Sequence, residues 1–294
     1  MACDTRRVKS IYRTATGRDA VHQWCADQLA AWPVPHERQT LIANGARTHA
    51  LVAGSGPGTV VFVPGTNFCA AAHLPLIAVL AARYRVVAVD LPGQPGLSSG
   101  ERPPAGDRLA WYGTWLSEIV DGVAAGPAVV LGHSLGGAVA LSADSPNIAG
   151  LVLVAPAGLT GLRVTPALLV AAVGWTVFPR PATSARLLRV MHAPGHLPRE
   201  AVVEWMTLIA RHASSTGAPG LAKLPARAVR RLIVTGDRDV FLPPKRLEPA
   251  VRKLLGAELG VLADAGHLAV DENKHFAHLA DLAGEILGEQ QPTN

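Results

Sequence analysis

The amino-acid sequence predicts an α/β architecture: a mostly parallel central sheet with helices on both faces and an inserted helical cap. Three observations lead there. From Thr59 onward, short β-branched runs alternate with helical stretches, the order produced by parallel strands joined through crossover helices. Runs such as Val60-Val61-Phe62-Val63 and Leu151-Val152-Leu153-Val154 do not alternate in polarity, which suits strands covered on both faces. About seventy residues with helical patterns and no strong strand separate the run ending at Val154 from the one starting at Arg231, far beyond an ordinary connection of ~2–6 residues.

Composition narrows the function classes. At 294 residues with 49% hydrophobic content the chain can bury a sizeable core. Its 27 Lys plus Arg against 22 Asp plus Glu leave a formal charge of +5, with no basic run, so nucleic-acid binding is not expected. Cys3, Cys25 and Cys69 are few and widely spaced; they read as buried free thiols rather than as a disulfide framework or zinc site. The N-terminus, Met-Ala-Cys-Asp-Thr-Arg-Arg, has no apolar stretch of the secretory type, which predicts a cytoplasmic protein. The apolar run Val164 to Phe178 contains Pro166, stops at Pro179 and falls short of the ~20 residues of a membrane span.

Along the chain, residues 1–35 read as an N-terminal helical extension docked on the main domain. Val21, Trp24, Cys25, Leu29 and Trp32 follow helical spacing, and Thr16 with Asp19 resembles a cap. Arg38 to Ala43 and Arg47 to Ala53 flank Asn44-Gly45, a pair suited to a tight hairpin turn. The later strand candidates are Thr59 to Val63, Arg85 to Val89, Ala128 to Leu131, Gly150 to Val154, Arg231 to Thr235 and Glu258 to Leu262. Residues 36–157 and 226–294 thus form the core and 158–225 the cap. There is no internal repeat, and the polar tail Gly288 to Asn294 is expected to fray.

The sharpest motif is Gly132-His133-Ser134-Leu135-Gly136, directly after one apolar run and directly before a helix-compatible one. A strand-to-helix turn this tight strains the central residue, and side chains at 132 or 136 collide with neighbouring backbone, so glycine is needed at both. The Ser134 hydroxyl then stands at a helix N-terminus, where the Leu135 N–H can donate to a developing oxyanion.

With Gly132 to Gly137 reading GHSLGG, the chain resembles the α/β-hydrolase superfamily from Thr59 to about Leu287. The resemblance implies the α/β-hydrolase fold and a triad in the order serine, acid, histidine. Gly236-Asp237-Arg238-Asp239 resembles the family's acid turn and implies Asp239 as the orienting carboxylate, with Asp237 the competitor. Ala265-Gly266-His267 is similar to the family's glycine-histidine loop and implies His267 as general base, while His133 is expected to support the elbow. The second oxyanion donor implied is the Thr66 N–H, in a loop where Pro64-Gly65 replaces the common His-Gly. Asp90-Leu91-Pro92-Gly93-Gln94-Pro95-Gly96-Leu97-Ser98 resembles a supporting loop of the family.

The expected activity is hydrolysis of an uncharged, largely apolar carboxylic ester, lactone or thioester through an acyl-enzyme, without cofactor. No metal is expected: Pro194 and Gly195 keep His192 and His196 off one helical face. Substrate-binding candidates are Asn67, His133, Trp175 and Phe178, in a pocket walled by the apolar cap, whose prolines 166, 179 and 181 are read as hinges. Arg180, Arg186 and Arg189 are read as solvated, with a substrate carboxylate as the other option. Partners reduce to a small-molecule substrate, with no nucleic acid and no membrane span; a homo-oligomer stays open. Two other readings remain: the same triad used for amide or carbon–carbon cleavage or acyl transfer, and a ligand-binding homologue without turnover.

Overall fold

The computed structural model describes residues 10–104, 106–124 and 126–288, so Cys3 and the tail beyond Gly288 lie outside the described residues. Strands β1 (His36–Ala43) and β2 (Ala46–Ala53) form an antiparallel hairpin. Asn44 and Gly45 close it with φ of 44° and 75°, the positive angles that let a two-residue turn follow the strand twist. Strands β3 (Thr59–Val63), β4 (Arg85–Val89), β5 (Ala128–His133), β6 (Ile148–Val154), β7 (Arg230–Gly236) and β8 (Leu259–Leu262) complete the sheet. Its order is β1-β2-β4-β3-β5-β6-β7-β8, with β2 antiparallel to β4 and every later pairing parallel.

The unbroken apolar runs are explained by two cores, one on each face. Phe62, Ala88, Leu131 and Val152 join one cluster, and their neighbours Val63, Val89, Val130 and Leu153 join the other. Successive side chains point to opposite faces, and both faces are dry because helices cover them. The first cluster packs under α2 (Leu74–Ala81) and α9 (Phe276–Leu287); the second packs under α3 (Arg108–Val123), α4 (Leu135–Ser142) and α8 (Pro244–Leu255).

Helix α1 (Ala15–Ala31) buries Gly17, Val21, Cys25 and Leu29 along one face, the four-residue spacing of an amphipathic helix. Its cap is Thr14, whose side chain accepts from the Gly17 N–H, and not the expected Thr16. Thr16 is already inside the helix, where its hydroxyl cannot reach the first free N–H groups. Three helices lie between β6 and β7: α5 (Pro166–Val177), α6 (Pro181–Met191) and α7 (Glu200–His212). Pro166 and Pro181 each open a helix, where proline's missing N–H is harmless. α1 docks on α7 as well as on the core. Trp24 packs on Trp205 with ring centroids 4.8 Å apart, and Cys25 Sγ lies 3.8 Å from Cys69 Sγ. Both thiols are buried and free. Among the described residues, no helix is long and apolar enough to cross a membrane.

Candidate active site

The turn from β5 into α4 sets Ser134 at φ 51° and ψ −110°, a strained conformation for a residue with a side chain. The surroundings hold it there. The Ser134 N–H donates to Val154 O at 3.0 Å, and its carbonyl accepts from the Ala157 N–H at 3.0 Å. The flanking glycines have no room for a Cβ: one at Gly136 would lie 2.0 Å from Val63 O, and one at Gly132 would lie 2.6 Å from Gly136 O. Leu135 opens α4, so its N–H is among those left without a helix carbonyl.

Asp239 follows β7 in a loop that turns its carboxylate inward. Oδ1 accepts from the Phe241 and Leu242 N–H groups, each at 2.8 Å, and Thr235 Oγ1 donates to Oδ2 at 3.2 Å. Burial pushes the carboxyl pKa up, but the adjacent His267 and these two amides more than offset it and leave it below the ordinary value. His267 comes from the loop after β8, and its N–H donates to Met191 O at 2.7 Å. Its Nδ1 lies 2.8 Å from Asp239 Oδ2 and its Nε2 lies 3.0 Å from Ser134 Oγ. A connected line of three groups therefore runs from a buried anion to a hydroxyl. Asp237, the competing acid, instead accepts from the Ala265 N–H at 3.2 Å and pairs with Arg238.

His133 Nε2 donates to the His267 carbonyl at 2.9 Å, fixing the main chain that carries the other imidazole. Burial, with His267 and His73 nearby, holds its pKa well below the ordinary value and keeps it neutral. The loop after β3 presses against the elbow: a Cβ on Gly65 would lie 2.9 Å from His133 Nδ1 and 3.3 Å from Ser134 Cβ. Asn67 in that loop has φ 66° and is held at three points. Its N–H donates to Gln94 Oε1 at 3.0 Å, its Nδ2 to Ser215 Oγ at 3.0 Å, and its carbonyl accepts from Trp205 Nε1 at 2.8 Å. Asp90 anchors the same region by accepting from the Ala70 and Leu97 N–H groups, each at 2.8 Å.

Above Ser134 opens a cavity of about 340 Å³, with Thr66, Asn67, His133, Leu135, Trp175 and His267 in its wall. Trp175 turns an apolar face to it while its Nε1 donates to Met206 O at 2.8 Å. Phe178 is a correction: it does not line the cavity and is 58% exposed. α5 ends at Val177, and the cavity wall stops at Thr176, so Phe178 lies past the segment that faces inward. Arg180, Arg186 and Arg189 are exposed and also absent from the wall. Phe241, whose ring stands edge-on to His267 at 4.7 Å, joins the wall together with Leu187, Met191, Ser215 and Thr216, none of them among the candidates from sequence. Phe241, two residues past Asp239, was findable from that spacing. Residues 215–219 carry no periodicity that marks them.

His192 and His196 do meet, off any common helix, beside Asp271. Their rings stack at 4.4 Å with planes 16° apart, so their in-plane lone pairs run nearly parallel instead of converging on one point. Arg199 already donates to Asp271, which fits a compensated buried carboxylate better than a cation site.

The alpha/beta hydrolase family profile matches residues 60–277. The chain is 30% identical to the dihydrolipoyllysine-residue acetyltransferase component of the acetoin cleaving system of Cupriavidus necator, over 85% of this chain and 69% of that protein. Among solved structures, carboxylesterase CesB of Bacillus subtilis superposes with a TM-score of 0.73 at 16% identity, covering 93% of this chain and 99% of that one. The naproxen esterase of Bacillus subtilis superposes with a TM-score of 0.71 at 19% identity, covering 90% and 97%. The family profile spans most of a sheet whose strand order and elbow are those just described, and on that ground the chain belongs to the alpha/beta hydrolase family and is a hydrolase.

Proposed function

We propose that the protein cleaves an uncharged, largely apolar carboxylic ester through an acyl-enzyme on Ser134. The observation that carries this reading is the hydrogen-bonded line from Asp239 through His267 to Ser134 Oγ. His267 Nε2 takes the hydroxyl proton as Oγ attacks the carbonyl carbon, and Asp239 holds the Nδ1–H tautomer and stabilises the imidazolium. The tetrahedral oxyanion accepts from the Leu135 and Thr66 N–H groups, each such donor contributing about 2.7–4 kcal/mol to transition-state binding. The C–O bond breaks, the alcohol leaves with the proton from His267, and water repeats the sequence to release the acid and restore the serine.

The substrate class is supported by the cavity wall, where Leu168, Ala172, Leu187, Met191, Met206 and Leu268 line the space and offer nothing to pair with a charge. Helices α5 to α7 serve as the cap in this reading. The esterase names of the structural neighbours agree with it. The acetyltransferase relative favours a second reading, transfer of the acyl group to an acceptor other than water. Ser134→Ala tests the covalent route: turnover of p-nitrophenyl esters and labelling by a fluorophosphonate should both vanish. Full labelling or turnover in the variant refutes it, and product analysis with added thiols or alcohols separates transfer from hydrolysis.

A further inference from the structure

Between Asp144 and Glu200 the chain contains no Asp or Glu and no Lys, but five arginines, at 163, 180, 186, 189 and 199. Their charge equals the +5 of the whole chain, so the excess positive charge belongs to this one segment. Arg199 is taken up by Asp271. The other four are exposed and, among the described residues, have no ion-pair partner.

Among the described residues, the same segment carries the densest exposed apolar stripe. On α5, Leu168, Ala171 and Trp175 are buried, while Val170, Val173 and Val177 are 54%, 53% and 58% exposed. These three share a face at i, i+3 and i+7, and exposed Leu169 and Phe178 adjoin it. Arg163 and Arg180 flank the stripe at its two ends, and Arg186 and Arg189 lie on α6, which packs against α5. Leu169 and Val164 are both exposed and part of the cavity wall, so the stripe borders the cavity mouth.

We propose that the outer face of α5 docks on an anionic lipid bilayer, with Val170, Val173, Val177 and Phe178 entering the headgroup boundary and the four arginines facing lipid phosphates. A 12-residue helix is too short to span but suits a position in the interfacial plane, where apolar burial and cationic attraction act together. The missing acids decide between occupants. A second copy of this chain would set four arginines against four like charges, whereas an anionic surface complements them. The placement beside the mouth brings lipid-dissolved molecules to the cavity. Docking itself does not depend on the reaction proposed for Ser134.

The test is co-sedimentation of the full chain with unilamellar vesicles of phosphatidylglycerol and phosphatidylcholine, and with phosphatidylcholine alone. Binding to the anionic vesicles at low salt, released by high salt, is expected. Val173→Glu/Val177→Glu should weaken it by at least about tenfold while leaving turnover of a short soluble ester unchanged. Arg186→Gln/Arg189→Gln provides a second, charge-only arm that leaves the apolar stripe intact and should also weaken binding. No binding at low salt, or equal binding by both variants, overturns the proposal. So does a concentration-dependent dimer that the glutamate variant abolishes, which assigns the face to a second copy.

Discussion

His267 is held by two groups from different strands: Asp239 Oδ2, beyond β7, at 2.8 Å from its Nδ1, and His133 Nε2, at the end of β5, at 2.9 Å from its carbonyl. Ring and main chain are thus fixed independently. The ring's remaining nitrogen faces Ser134 Oγ, 3.0 Å away.

Asp239→Asn separates these two supports. The asparagine keeps the volume and can still accept from the Phe241 and Leu242 amides, but it no longer stabilises an imidazolium and permits the wrong tautomer. Ester turnover should fall by about 10³–10⁴-fold with little change in KM. Initial-rate kinetics together with the melting temperature check this, and a loss below tenfold would remove Asp239 from the proposed relay.

Gly136→Ala tests the close approach at the elbow. The added Cβ would lie 2.0 Å from Val63 O, a backbone atom of β3 that cannot swing aside. Stability should drop by about 3 kcal/mol or more, read from urea unfolding. Gly174→Ala is the contrast, since a Cβ there meets nothing within 4 Å in the middle of α5, and it should raise stability by about 0.5–1 kcal/mol.

Asp271 predicts a pH dependence. Burial pushes its carboxyl up, but the His192 ring and the Arg199 guanidinium outweigh this and hold it below the ordinary value. A carboxyl depressed in the native state contributes stability that is present above its unfolded pKa and lost as pH falls through the native one. Arg199→Met leaves the anion buried with less compensation and should destabilise by about 3–5 kcal/mol at neutral pH. The difference from wild type should shrink as pH falls through the acid range, because the less compensated carboxyl of the variant takes up a proton first and is relieved of its buried charge. Unfolding curves across pH 3–7 read this directly, and a pH-independent difference would contradict it.

The sheet was legible in the sequence because its central parallel strands, β3 to β6, are buried on both faces, so runs such as Val60 to Val63 carry no competing polar pattern. Ser134 stood out because a tight strand-to-helix turn needs glycine at 132 and 136, while Asp239 and His267 were implied by the resemblance of the turns that carry them to those of the α/β-hydrolase family. The cavity wall was not legible. Whether a residue of α5 looks inward depends on how that helix is rotated against α6 and α7, which a uniformly apolar stretch does not specify. Trp175 was therefore found and Phe178 misplaced from the same run. His192 and His196 illustrate the same limit, since Pro194-Gly195 breaks the helix that would set i and i+4 on one face, yet the turn it makes stacks the two rings.

Ala172 offers the sharpest test of the acyl-binding assignment. It lies in the cavity wall on α5, between Leu168 and Trp175, and a phenyl ring at that position would occupy space now open above Ser134. Ala172→Phe should leave acetyl esters nearly unaffected. For octanoyl esters it excludes two or three methylenes from the cavity, each contributing about 0.8 kcal/mol when buried. The octanoyl-to-acetyl ratio of kcat/KM should therefore fall by about 15–60-fold. A proportional loss on both substrates would mean that the ring disturbs the elbow rather than fills an acyl pocket, and an unchanged ratio would place the acyl chain elsewhere.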